Sequence, residues 1–296
     1  MTAFQKKRRP RQAIDYDLAA MRLLSQYHYL TPVQLAQTGL VSSERSARKI
    51  LARNIGGKRA PIERVRYPVS DVHGRLPDVY YLTRYGANEI IFALRLDPEQ
   101  VYYPKGKPPC LDDYRHRCMT IDFQVALDCF AASQNCEVPF FHTYFDYNGA
   151  NRSKAGADNP SLRRRALSKI PLGHHYLIPD ANFLLLSPHK KRHLFTCEIY
   201  RSKDTKRVLA QLLKHVYLLS KNSIAAHYGH PDLPWRVLCV FETTQAMLAV
   251  ARRFAKEPLA GACINHFAFS TLELVQKDFA NNWMSFDGER MRIVEC

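Results

Sequence analysis

Residues 174–219 read HHYLIPDANFLLLSPHKKRHLFTCEIYRSKDTKRVLAQLLKHVYLL. Two apolar runs, 176–186 and 193–199, flank the turn Ser187-Pro188-His189-Lys190-Lys191-Arg192, which predicts a β-hairpin. Leu209, Leu212, Leu213, Val216 and Leu219 then recur at helical spacing, with Lys and Arg on the other face. Two acids interrupt the strands: Asp180 directly after Pro179, and Glu198 near the end of the second run. Burying an acid in an apolar strand costs several kcal/mol unless it is paired, hydrogen-bonded or bound to a metal. Neighbouring strands lie roughly 4.8 Å apart, so the two carboxylates could share one hard cation. The competing reading is a buried structural pair held by Arg or Lys.

The rest of the chain supplies charge. Its 296 residues carry a net charge of +16, which calls for an anionic partner such as nucleic acid. The first 60 residues hold twelve Lys and Arg against Asp15, Asp17 and Glu44, so more than half of the surplus sits in the first fifth of the chain. No apolar run reaches the roughly 20 residues that span a bilayer, and QKKRRPR near the start has no signal-like apolar stretch behind it. The eight cysteines include no CxxC pair and several fall in apolar patterns, as expected of a reduced, cytoplasmic protein. Without a Gly-rich phosphate loop, a nucleotide-driven reaction is not expected.

Residues 1–12 read as a basic arm and 13–104 as a first domain. A helix over 15–29 precedes Thr31-Pro32, an N-cap with Pro at the first helical position. Gly39 stops that second helix, and Ser43-Glu44 opens a third with Ala47, Ile50 and Leu51 facing inward. Arg45, Arg48, Lys49 and Arg53 are left facing outward, the pattern of a helix-turn-helix. The alternating IERVRYPV at 62–69, a polar turn and Val79–Leu82 form a plausible β-wing carrying Arg64 and Arg66. The stretch through LTRYGA at 82–87 resembles winged-helix domains, and that resemblance implies double-stranded DNA as partner, with these six residues at the groove and wing. The alternative is a solvated face on a protein-binding module.

A Pro- and Lys-rich linker, 105–113, leads to a second domain at 114–296. A helix is expected at 114–134, strands at 138–147, 235–241 and 266–274, and a helix at 244–256. Residues 148–173, including Arg163, Arg164 and Arg165, read as a mobile basic loop able to clamp DNA. The fold class is therefore α+β: a winged helix-turn-helix, then an α/β core with helices on both sides of a mixed sheet.

Helix, strand, strand with Pro179-Asp180, strand ending in Glu198-Ile199-Tyr200, then helix resembles the PD-(D/E)xK nuclease superfamily, with a restriction-endonuclease-like core. The resemblance implies Asp180 and Glu198 as ligands of Mg²⁺ or Mn²⁺. Tyr200 stands where that motif has lysine, and Lys214 is the substitute candidate, ahead of Lys203 and Lys206. The chain also resembles the plasmid replication-relaxation family and the related MOBC-type relaxases. Glu198, Arg201, Asp204, Lys214 and Tyr217 match that family's pattern, whereas Tyr200 replaces its Asp and Ser202 its Gly. His116 and Asp122 occupy the family's early-helix His and acid.

These likenesses imply a metal-dependent DNA nickase serving plasmid mobilisation or replication, in company with other mobile-element proteins. The alternative is a catalytically inactive DNA-binding factor, or a component of a nucleoprotein assembly, on the same fold. His174-His175 cannot copy a His-x-His metal site, because adjacent strand residues point to opposite faces. His189 and His193 flank a Pro-containing basic turn and read as phosphate contacts. No spacing rule selects a nucleophile from Tyr144, Tyr147, Tyr200 and Tyr217.

Overall fold

A computed structural model describes residues 15–67, 69–70, 74–104, 113–148, 165–201, 204–221, 223–231 and 233–294. The chain is α+β and divides into two compact units, Met1–Leu111 and Asp112–Cys296. The linker at 105–112 and the basic arm lie outside the described residues, as do Arg163 and Arg164.

In the first unit each helix start is fixed by a side-chain cap. The Asp15 carboxylate accepts from the backbone of Asp17 and Leu18 at the head of α1 (Tyr16–Tyr27). Thr31 and Gln34 form a reciprocal capping box on α2 (Pro32–Gln37). Ser43 caps α3 (Glu44–Arg53), which buries Ala47, Ile50 and Leu51 as their spacing predicts. Gly39 takes the left-handed turn between α2 and α3 at φ +81°. Strand β1 (Ile62–Val65) follows, then the small hairpin of β2 (Val69–Ser70) and β3 (Gly74–Arg75). Strand β4 (Val79–Leu82) returns antiparallel to β1. Thr83 caps α4 (Arg84–Leu94) and also donates to the carbonyl oxygens of Ala60 and Pro61. A Cβ at Gly86 would lie 2.2 Å from the Pro61 oxygen, so only glycine allows the chain to pass so closely.

The second unit begins with α5 (Tyr114–Gln134), β5 (Glu137–Thr143) and the short strand β6 (Tyr147–Asn148). Residues 165–177 then form β7 (Arg165–Ala166), β8 (Ile170–Leu172) and β9 (His175–Leu177). This corrects the expected loop where it is described: Ile170 is fully buried in the core, and apolar burial orders the segment despite its polar composition. The long first strand of the expected hairpin is also broken. Pro179-Asp180 separates β9 from β10 (Ala181–Leu186), which pairs with β11 (Arg192–Tyr200) in an antiparallel hairpin.

Next come α6 (Thr205–Ser220), α7 (Ser223–His227), β12 (Trp235–Phe241), α8 (Thr244–Phe254), a 3₁₀ segment (Pro258–His266) and β13 (Phe267–Thr271). Helix α9 (Leu272–Lys277) begins where a continuing strand was expected, because the Thr271 hydroxyl caps it. Strands β14 (Trp283–Met284) and β15 (Arg290–Met291) end the unit.

The seven-stranded mixed sheet has the order β15-β14-β13-β12-β11-β10-β5. Strands β11, β12 and β13 run parallel and the other pairs antiparallel. Alternation along β11 assigns its faces. Phe195, Cys197 and Ile199 join Phe123 and Leu127 of α5 in one core layer. Leu194 and Tyr200 join Val208, Leu212 and Val216 of α6, together with α8, in the other. With both faces covered, any polar residue on the sheet needs an internal partner. Among the described residues, no helix is long and apolar enough to cross a membrane. Among the described cysteines, Cys197 and Cys239 are fully buried.

Candidate functional site

The β10–β11 register places Ala181 opposite Cys197, so Asp180 and Glu198 face each other one residue beyond that pair. Asp180 ends the ladder with its side chain. Its Oδ2 accepts from the Ile199 backbone N–H at 2.6 Å, where a continuing β10 would have supplied a carbonyl. Its Oδ1 meets His116 Nε2, from the first turn of α5, at 2.7 Å. The chain bends just before this point, where the Pro179 carbonyl accepts from Ser168 Oγ.

Glu198 lies on the α6 face and is fully buried. Gln211 Nε2 donates to its Oε2 at 2.6 Å, and His215 Nε2 lies 2.5 Å from its Oε1. Gln211 and His215 are one helical turn apart on α6, which brings both onto the same acid. Burial first, and then the charge of Asp180, raises the Glu198 pKa well above the ordinary carboxylate range. Burial lowers His215 to about 3. Burial therefore favours a protonated carboxyl donating to a neutral imidazole over the charged pair. His215 Nδ1 is buried without a hydrogen-bond partner.

His116 is perturbed the other way. Burial pulls it down, but the hydrogen bond and charge of Asp180, with Asp113 and Glu198 behind, outweigh burial and raise it. Asp113 holds the head of α5 in place, accepting from Tyr144 Oη at 2.6 Å and from Arg117 at 3.0 Å. Burial and that hydrogen bond keep the Tyr144 phenol protonated. Tyr200 is buried beside Phe241 on the Glu198 face, its hydroxyl unpartnered and its pKa raised by burial and then by Glu198. Neither phenol is poised as a nucleophile. Tyr147 and Tyr217 are exposed.

The structure thus brings Asp180, Glu198 and His116 together. Lys214 is exposed on α6, turned about 100° from His215, and forms no ion pair among the described residues. Asp122 lies almost two turns along α5 from His116, near Cys118, whose thiol is pushed up to about 12 by burial and then by Asp122. Gln211 and His215 were not legible as site residues; their only signal was a polar pair at i, i+4 inside a leucine-rich helix. A second buried relay lies on the same sheet face, where Thr196 Oγ1 donates to Asn182 Oδ1 and Asn182 Nδ2 donates to the Ser168 carbonyl.

A metal is implied by the resemblance, and the donor set fits one. Two carboxyl groups lie close together, and the charge of Asp180 opposes ionisation of Glu198, which a cation would relieve. Mg²⁺ is commonly held by one or two carboxylates with waters and phosphate oxygens completing its shell. Among the described residues no group of three or more His, Cys, Asp or Glu is placed to hold a metal, so the remaining ligands would come from solvent or substrate.

In the first unit, Arg45, Lys49 and Arg66 are exposed. Arg48 pairs with Glu44, Arg53 with Asp17 at 2.7 Å, and Arg64 with Asp78 at 3.4 Å. In the second unit Arg165 is exposed on β7. Comparison with known proteins returns no matching family model, no matching curated protein and no matching solved structure.

Proposed function

We propose that this chain is a DNA-processing protein of a mobile element. Its first unit would be a winged helix that selects a double-stranded site, and its second a nuclease-like core that nicks one strand with Mg²⁺ or Mn²⁺. The reading rests on one observation above all: Asp180 and Glu198 face each other where β10 and β11 end, on a sheet covered on both faces. An acid as enclosed as Glu198 is a poor choice for stability alone, because a well-packed apolar replacement is often neutral or stabilising. Basic charge is the second support, since +16 suits a polyanion.

Asp180 and Glu198 would hold the cation. When bound, it would polarise the scissile phosphate and lower the pKa of an attacking water. Glu198 must first release its proton, so uptake should release protons and strengthen with pH. Gln211 and His215 orient its carboxylate. His116, partly exposed beside Asp180, holds a proton that it can deliver to a leaving oxygen. Arg201 directly follows β11, and its Nε is buried with no hydrogen-bond partner, a donor suited to a phosphate oxygen.

The test is incubation with supercoiled plasmid carrying the parent element's own origin, with Mg²⁺ or Mn²⁺ and with EDTA. Metal-dependent open circles, lost in Glu198→Ala while DNA binding persists, are expected. Wild-type nicking by that variant would remove the acid from the mechanism.

A second reading has its own support. All four carboxylate oxygens of Asp180 and Glu198 already have partners, and Tyr200 fills the lysine position. A non-catalytic DNA-binding factor on this fold would bind tightly, with strong salt dependence, and never nick.

A further inference from the structure

At the other end of β11 lies a cleft that this reading does not use. We propose that it is a phosphate-binding pocket of nucleotide size. It occupies about 320 Å³ at the N-terminal ends of β11 and β12, beside the residues that follow β15. Its charged lining comprises Lys191, Arg192, Arg236 and Arg292, joined by His193 and His266, and among the described residues no lining side chain is acidic. Leu194 in its wall and Glu198 are four residues apart along one strand, about 13 Å. The cleft is therefore distinct from the acid pair.

Three features make this a built site rather than a solvated basic surface. It is concave and of a volume that holds a small ligand. Two of its basic side chains are fixed in place: Arg236 Nη1 donates to the Ile293 carbonyl, and His266 Nδ1 to the Trp235 carbonyl. The third feature is Trp235, a lining residue only 1% exposed, whose indole Nε1 is buried without a hydrogen-bond partner. A buried donor left unmade is costly, and Trp235 is the lining residue that carries one. Guanidinium forks match phosphate oxygens in geometry as well as charge. The phosphate could belong to a free nucleotide or to a DNA strand.

Titration calorimetry on the full chain tests this, with inorganic phosphate, a deoxynucleoside monophosphate and a short single-stranded oligonucleotide as separate probes. Saturable binding of at least one probe is expected. The double variant Arg192→Ala/Arg292→Ala should weaken it by about ten-fold or more, two charge-assisted contacts being lost. Both residues are exposed, so the fold should persist, and urea unfolding checks that it does. Lys206→Ala/Arg207→Ala, equally exposed on α6, should leave binding unchanged. Equal affinity for phosphate and nucleotide would assign a simple anion site, tighter nucleotide a base-assisted one, and oligonucleotide alone a strand contact. No saturable heat with any probe at millimolar concentration would overturn the proposal. So would equal losses in the two double variants, which would mark diffuse charge attraction. None of these outcomes depends on whether the chain nicks DNA.

Discussion

Glu198→Gln keeps the shape of the side chain and its two hydrogen-bonding positions while abolishing its titration. In the wild-type chain burial, and then Asp180, raises Glu198 well above the carboxylate range, whereas burial lowers His215 to about 3. The folded pair therefore holds its proton on the carboxyl to higher pH than the unfolded chain does. Unfolded, the same two residues carry two protons below about pH 4.5, one up to about 6.5 and none above. The raised acid contributes stability that is present in full below its unfolded pKa and lost as pH rises through its folded value. The depressed histidine contributes stability that is present above its unfolded pKa and lost as pH falls towards about 3. Together they give a plateau between about pH 4.5 and 6.5, with a decline on either side. On the alkaline side the limiting slope is about 1.4 kcal/mol per pH unit until the pH reaches the folded pKa of Glu198. His116, raised by Asp180, adds a decline of the same sign, so the readout is the difference between the two proteins. Trp235 and Trp283 both lie in the second unit, and indole fluorescence during urea unfolding reports that unit. The glutamine variant should lose most of the alkaline decline and be the more stable protein at pH 8.5. Parallel stability curves for the two proteins above pH 6.5 would refute the one-proton account.

Other consequences can be measured directly. Gly86→Ala drives a Cβ against the Pro61 carbonyl and should cost about 1–3 kcal/mol, read as a lower midpoint in far-ultraviolet thermal unfolding. Asn182→Ala deprives Thr196 and the Ser168 carbonyl of their partners and should cost about 1–3 kcal/mol in the same fluorescence assay. If the first unit binds duplex DNA through α3, Arg45→Ala and Lys49→Ala should each reduce the slope of log affinity against log salt by about one. Arg53→Ala should change that slope less, because Asp17 already engages its guanidinium. Fluorescence anisotropy over a salt series distinguishes these outcomes.

The hairpin, the helix after it and the mixed sheet were legible because their signals are periodic. Alternation assigns Phe195, Cys197 and Ile199 to one face and Thr196 and Glu198 to the other without reference to the rest of the fold. The opposition of Asp180 and Glu198 followed from the same count. The buried face of α6 was less legible. Leucine spacing suggested Leu209, Leu213 and Leu219 as core residues, whereas the structure fully buries Val208, His215 and Leu218 beside Leu212 and Val216. Glu198 accounts for the difference. A buried acid needs donors, and the helix turns His215 inward to supply one, a demand that hydropathy does not register. Residues 165–173 were missed for a related reason: their order comes from distant apolar partners of Ile170, not from local pattern.

The two-residue repeat of β11 has a consequence for how such a site changes over time. Positions of one parity along the strand share the chamber of Glu198, so Thr196 and Tyr200 can retune its chemistry, while Phe195, Cys197 and Ile199 answer only to packing. Tyr200 stands two residues, about 6.6 Å, beyond Glu198 on that same face. A lysine there would bring an ammonium group to the same face as the buried acid, whereas tyrosine leaves that face without a charge to meet it. The identity of one side chain, two positions along a strand, thus sets whether the chamber of Glu198 holds an acid alone or an acid with a cation.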